Sequence, residues 1–213
     1  MNIPVIYEDE WLLVLDKPQG LLTIPSPKNE SRTLTSILNQ DLITRNISYR
    51  LHPCHRLDRQ TSGLIIYAKG KSVQKKMMEL FHLKKIKKTY LAFVQGQLVK
   101  MTGEINIPIE RKPAQTRYRV IQKKNNFSIL EIEPVTGRTN QIRIHFSQIG
   151  HPIVGEDKFS FRRDFKLRSK YLCLQAKKLE FNHPVTGKLV QLSLDLPESM
   201  GKLLEKDCSN SVA

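Results

Sequence analysis

Asp58 is the residue whose setting could do chemistry. It stands in the polar run His55-Arg56-Leu57-Asp58-Arg59-Gln60-Thr61-Ser62-Gly63, one carboxylate among arginines, followed at once by the apolar run Leu64-Ile65-Ile66-Tyr67-Ala68. An ionised aspartate can serve as a nucleophile, and an arginine within about 4 Å lowers its pKa by roughly 1 to 3 units by stabilising the charged form. Arg59 is the neighbour in sequence, and Arg143 offers the same fork from farther along the chain. Tyr90 adds an aromatic face. Taken alone, an aspartate between arginines in a loop is more often a turn former with solvated neighbours. A second stretch is needed to decide.

The elements that must position these residues can be read from patterning. Residues 64–68 are branched and apolar enough for a buried strand, and Gly63 before them reads as a tight bend or a close backbone approach. Asp58 then sits on a strand-anchored loop, where catalytic groups concentrate. Ile3 to Tyr7 and Trp11 to Leu15 read as strands around the acidic turn Glu8-Asp9-Glu10, and Lys17-Pro18-Gln19-Gly20 breaks the second. Residues 21–32 have a loop composition. Thr33 can cap a short helix with Leu34, Ile37 and Leu38 on one face, followed by a polar stretch from Asp41 to Arg50.

Val73, Met77, Leu80 and Phe81 mark the apolar stripe of a second helix, with Ser72 as its N-cap. Further strands are expected at Tyr90 to Val94, Gly103 to Ile107, Thr116 to Ile121, Phe127 to Glu133, Tyr171 to Leu174, Leu179 to Phe181 and Leu189 to Leu194. Asn125-Asn126 turns a hairpin. Thr136 to Phe146 reads as a glycine turn, a threonine cap and a helix that buries Ile142, Phe146 and Ile149 while Arg143 leans away; Gly150-His151-Pro152 stops it. The expected fold is α+β, a mixed, largely antiparallel β-sheet with flanking helices and loops, in one catalytic domain over residues 1–200 with a short frayed tail over 201–213.

Composition bounds the class. With 35 Lys+Arg against 20 Asp+Glu the formal charge is +15 over 213 residues, which favours a polyanionic partner. The three cysteines, Cys54, Cys173 and Cys208, are odd in number and far apart, so no disulfide framework is expected and a reducing cytoplasm is the natural home. No run reaches the roughly 18 apolar residues of a membrane helix, and the N-terminus has no leader character. GxGxxG, Walker, GxSxG and HExxH motifs are absent. His52, Cys54 and His55 match no usual zinc spacing, so no metal is expected. An aspartate with an arginine and an aromatic platform on a cationic protein suits chemistry on an extruded nucleobase.

The run HRLDRQTSGLIIYAK resembles the catalytic motif of RluA-type pseudouridine synthases, and GRTNQIRIHFSQIGHPIVGEDKF resembles that family's second signature at the expected separation. The segments VLDKPQGLL, KKTYLAFVQG and KPAQTRYRV resemble family segments in order, so the likeness covers nearly the whole chain. It implies an RNA uridine isomerase acting on ribosomal or transfer RNA, with no metal or organic cofactor, no membrane and no obligate protein partner, working as a monomer. It implies that Asp58 attacks the target nucleotide, that Arg143 pairs with that carboxylate, that Tyr90 lies against the uracil and assists proton removal from C5, and that Arg56 enters the RNA.

Arg59, Thr61, Arg138, Lys84, Lys85, Lys87 and Lys88 are expected on the RNA, the lysines as part of a footprint that includes residues 84–88 and 162–170. Two departures stand out. Asn140 occupies a position often held by histidine, which touches the loop's hydrogen bonding, and the chain begins directly at the catalytic body without the small S4-type domain of many relatives. Two other readings compete: a non-catalytic RNA-binding or assembly protein on this scaffold, and a DNA-binding protein, which lacks any helix-turn-helix or zinc-finger support.

Overall fold

Strand β2, Leu12–Lys17, and strand β4, Ser62–Lys69, pair antiparallel from Leu12 opposite Ala68 to Lys17 opposite Gly63, and this pair organises the Asp58 region. A computed structural model of the chain describes residues 3–25, 30–160 and 167–209. The chain forms two compact units, Met1–Lys88 with Ala176–Leu194, and Thr89–Gln175 with Asp195–Ala213. No helix among the described residues is long and apolar enough to cross a membrane. Among the described residues the strand pairs with a defined register are antiparallel and there are four helices, as the α+β reading expects.

In the first unit β1, Val5–Glu8, pairs with β2, while β3, Leu51–Pro53, pairs with β4. Strand β9, Leu174–Asn182, follows β4 in the sheet order and carries β10, Leu189–Ser193. Leu64 to Ala68 are fully buried, so β4 is covered on both faces and reads as an unbroken apolar run rather than an alternating one. Leu64, Ile66 and Ala68 join Leu12, Val14, Val73 and Met77 in one core, and on the other face the Tyr67 hydroxyl lies 3.0 Å from that of Thr35.

Gly63 has φ +112°, and a Cβ there would stand 2.4 Å from the Ala176 carbonyl oxygen. The close backbone approach expected of this glycine is that of β4 to β9. Helix α1, Leu34–Thr44, starts at Thr33 with a reciprocal capping box through Ser36, and it runs past the expected end because Leu42 extends the buried face. Helix α2, Lys71–His82, starts one residue before Ser72, at an N-cap Gly70 with φ +110°; only glycine takes that conformation readily, so the cap falls there and Ser72 lies inside the first turn.

The second unit orders β5 (Lys87–Gln95, entering from the first unit), β8 (Phe127–Pro134), β7 (Thr116–Lys123) and β6 (Thr102–Ile105) side by side. Helix α3, Gln141–Gln148, buries Ile142 and Phe146 against this sheet, with the Phe146 and Tyr118 rings 5.7 Å apart. Full burial of a phenylalanine contributes roughly 1.5 to 3 kcal/mol. The residues expected as a strand at 171–174 reach strand geometry only at Leu174, which opens β9. The segment expected as a frayed tail is largely helix α4, Glu198–Ser209, because Met200 and Leu203 supply an apolar side buried in the second core.

Candidate active site

Asp58 lies half-buried at a turn closed by the Thr61 amide on the Asp58 carbonyl, at 3.1 Å. Its neighbours on both sides are fixed through their main chains. The Thr23 hydroxyl, 1% exposed, accepts the Leu57 N–H at 3.2 Å and donates to the Leu57 carbonyl at 3.1 Å. The Arg59 carbonyl accepts the Gly20 N–H at 2.8 Å and the Lys17 ammonium at 3.3 Å. Lys17 is fully buried, and its Nζ also donates to the carbonyls of Leu21 at 2.7 Å and Pro18 at 2.9 Å. Burial pushes its pKa down to about 8, against the opposing pull of the Asp58 and Asp16 carboxylates.

The approach to this loop is anchored by His55. Strand β3 ends at Pro53 opposite Tyr67, Cys54 still donates its N–H to the Ile66 carbonyl at 2.9 Å, and the His55 imidazole then accepts the Ile66 N–H at Nε2, 3.0 Å away. A side chain therefore takes over the ladder where the backbone leaves it. Burial, with the Lys88 cation, pushes the His55 pKa down to about 3, so the ring stays neutral with its proton on Nδ1. Its face packs on Phe81, ring centroids 4.9 Å apart.

Arg143 is 5% exposed, which corrects the expectation that it leans away from the buried side of α3. Polar partners bury it: Nε donates to Glu156 Oε2 and Nη2 to Glu156 Oε1, each at 2.7 Å, and Nη1 donates to Asn140 Oδ1 at 3.2 Å. A hydrophobic periodicity cannot register a charge that is buried because it is paired. Burial alone would raise the Glu156 carboxyl, yet the Arg143 hydrogen bond and the amides of Lys158 and Phe159 outweigh it and hold the pKa below the ordinary glutamate value.

Asn140, rather than the expected threonine, caps α3, with φ +53° and ψ +22°. Asparagine tolerates the left-handed region better than threonine does. Gln141 ties the signature loop to β7: its Oε1 accepts the Arg138 N–H at 3.0 Å and the Thr136 hydroxyl at 2.6 Å, and its Nε2 donates to the Gln115 carbonyl and the Thr116 hydroxyl oxygen, each at 2.9 Å. His145, fully buried, lies 2.9 Å from both Thr116 Oγ1 and the Ile107 carbonyl. Since the carbonyl can only accept, Nε2 carries the proton and Nδ1 accepts from Thr116.

Tyr90 stands on β5 opposite Ile132, half-buried against the second core. Asp58 thus belongs to the first unit, Tyr90 and Arg143 to the second. Arg56, Arg59 and Arg138 are exposed; Arg59 makes an ion pair with Glu30, and Arg138 Nε donates to the Pro113 carbonyl at 3.0 Å. Lys84, Lys85 and Lys87 are exposed, whereas Lys88 is half-buried with its ammonium 5.9 Å from the Phe81 ring centroid. Thr61 is 2% exposed, beneath the surface rather than on it. Of the expected basic loop at 162–170, residues 162–166 lie outside the described residues.

Sequence reasoning gave no role to Lys17, Thr23, His55 or Glu156. Lys17 read only as the end of a strand, although a lysine before a proline at a buried strand end needs acceptors and the following loop supplies carbonyls. Glu156 had one available signal, an acid immediately after Gly155 in a signature otherwise rich in arginine and histidine. Gly155 has φ +84°, and a Cβ there would lie 2.0 Å from the Tyr171 carbonyl oxygen.

A sequence model described as RNA pseudouridylate synthase matches residues 11–148. The dual-specificity RNA pseudouridine synthase RluA of Haemophilus influenzae is 35% identical over 87% of this chain and 90% of its own length. Its namesake from Pasteurella multocida is 34% identical over 90% and 92%. Among solved structures, human RNA pseudouridylate synthase domain containing 4 superposes with a TM-score of 0.78 at 22% identity, over 94% of this chain and 92% of that one, a likeness of fold.

Proposed function

Because this chain belongs to the RNA pseudouridylate synthase family, enzymes that isomerise uridine within RNA, we propose that it acts on ribosomal or transfer RNA with Asp58 as the catalytic aspartate on a flipped-out uridine. The reaction breaks the N1 glycosidic bond, rotates the uracil while it is still bound, and joins C5 to C1′ with loss of the C5 proton to N1 or solvent. Asp58 engages the sugar side of that exchange, Arg143 supplies the positive charge that keeps a carboxylate ionised, and Tyr90 lies against the uracil and assists C5 deprotonation. Arg56 fills the space the uridine leaves.

The observation that carries this reading is the grip on the Asp58 loop: Leu57 and Arg59, on either side of the partly buried Asp58, are each held by hydrogen bonds from the end of β2 and the residues after it. A nucleophile needs a fixed approach, and a loop pinned by its main chain supplies one. The exposed cations of both units support a phosphate footprint. The dual specificity in the names of two relatives supports a search in more than one class of RNA.

The test is pseudouridine mapping of total RNA from cells with and without this protein, repeated with Asp58→Asn. A modified uridine should disappear with the protein and fail to return with the variant, whose single-turnover rate should fall by about 10³ or more while RNA affinity changes little. Turnover retained by Asp58→Asn ends the assignment of that residue. A biological effect that survives the substitution, with no uridine lost, selects the non-catalytic binding protein instead.

A further inference from the structure

We propose that Glu156 is the positioning residue of Arg143, a single buried carboxylate that orients the guanidinium and folds the turn at 157–159 around it. This rests on the reading of Arg143 as the charge partner of the catalytic aspartate. The side chains of Arg143 and Glu156 are 6% and 1% exposed, so their alignment is set by each other rather than by solvent. Two parallel N–H···O bonds of 2.7 Å, from Nε and Nη2, fix the guanidinium within its own plane. The Phe159 ring, its centroid 5.1 Å from Cζ, restricts the tilt of that plane, and Asn140 Oδ1 holds Nη1. The half-exposed Asp157 carboxylate also lies near, its Oδ1 3.7 Å from Nη2, so the N–H groups of the guanidinium have set directions.

The same carboxylate folds the turn. Glu156 Oε1 accepts the main-chain N–H groups of Asp157 at 3.1 Å, Lys158 at 2.8 Å and Phe159 at 3.2 Å, besides the Arg143 bond. The Ser147 hydroxyl, one turn along α3 from Arg143, donates to the Phe159 carbonyl and ties the end of the turn back to the helix. The ring that limits the guanidinium is therefore placed by the group that aligns it. A neutral amide at 156 keeps one acceptor oxygen and replaces the other with a donor facing Arg143. Aspartate keeps the charge but falls one methylene short. The two substitutions separate charge from reach.

The experiment measures single-turnover tritium release from total RNA labelled with [5-³H]uridine in cells lacking this protein, for the wild type, Asp58→Asn, Arg143→Met, Glu156→Gln, Glu156→Asp and the double variant Arg143→Met with Glu156→Gln. Filter retention of the same RNA reports affinity, and ¹⁵N-arginine spectra report the Arg143 Nε–H. Glu156→Gln should slow turnover by about 100-fold with affinity within about threefold, as expected for a misplaced group that does not itself bind substrate. Glu156→Asp should recover part of the rate, and the glutamine should cost nothing more in the Arg143→Met background. The Arg143 Nε–H resonance, protected from exchange in the wild type, should lose that protection in Glu156→Gln.

Turnover by Glu156→Gln within about threefold of the wild type, or a loss that adds in full to that of Arg143→Met, overturns the proposal. So does an unmoved, still protected Arg143 resonance. Should the glutamine variant fail to fold, Glu156→Asp decides: a shifted resonance with reduced turnover supports the proposal, and both unchanged refute it. Wild-type protein that releases no tritium defeats the functional reading alone, and the Arg143 resonance then judges the positioning by itself.

Discussion

Around Asp58 the protein grips the main chain, whereas around Arg143 it grips the side chain. Thr23, Gly20 and Lys17 hold the peptide groups of Leu57 and Arg59 on either side of the partly buried Asp58. Glu156, Asn140 and Phe159 instead surround the guanidinium itself. The difference follows from what each group is proposed to do. A group that forms a bond must start from a fixed place, and main-chain ties on its neighbours supply that. A group that acts by the direction of its N–H groups can instead be held through its own side chain, because buried partners fix that direction.

The most severe way to break the first arrangement is at its floor. Gly63→Ala places a methyl 2.4 Å from the Ala176 carbonyl and leaves a non-glycine residue at φ +112°. Thermal and urea unfolding should show a loss of more than ~3 kcal/mol. A loss under ~1 kcal/mol would mean that β4 can part from β9 without disturbing the loop above.

Lys17→Met removes the donor to three carbonyls together with the cation that acts on the Asp58 carboxylate, and turnover should fall by about tenfold with RNA affinity retained. The pH response sharpens the point. With a folded pKa of about 8, below the unfolded value near 10.4, the unfolded chain holds a proton between those values that the folded chain has released, so this residue makes stability rise with pH across that window. Turnover should move the other way, because a neutral amine has fewer N–H groups than carbonyls to serve, and the Arg59 contact at 3.3 Å is the longest. An alkaline decline in turnover that persists in Lys17→Met would separate it from this lysine.

The smallest effect is expected at Thr23. Thr23→Val forfeits both hydrogen bonds to Leu57 and should cost about 1 to 2 kcal/mol in denaturant unfolding, with Thr23→Ser close to wild type. If serine is no better than valine, packing by the methyl group, not the hydroxyl, holds Leu57.

The strands around the site were legible because their runs are apolar and bounded by glycine, proline and asparagine: β4 after Gly63, the β7–β8 hairpin at Asn125-Asn126, and the α2 stripe of Val73 and Met77 all follow from period and punctuation. Short β3 was not read as a strand, since three residues, Leu51–Pro53, carry no period. Helix α4 escaped because Met200 and Leu203 are too few to mark a face alone. Asp58 stood out by its setting among arginines, and the motif likeness gave Asp58, Tyr90 and Arg143 their expected roles. Lys17, Thr23 and Glu156 stayed hidden because their partners are main-chain groups or a residue 13 positions away, and no local pattern announces those.

The imidazole of His55 completes the strand ladder at Ile66 just before the chain turns toward Asp58. Histidine commonly makes a protein responsive to acid, yet this one, with its pKa at about 3, keeps its acceptor nitrogen bare through the whole range in which ordinary histidines gain charge. The stem of the loop is thereby insulated from mild acidification, and an acid medium would protonate most exposed carboxylates before it reached this hinge.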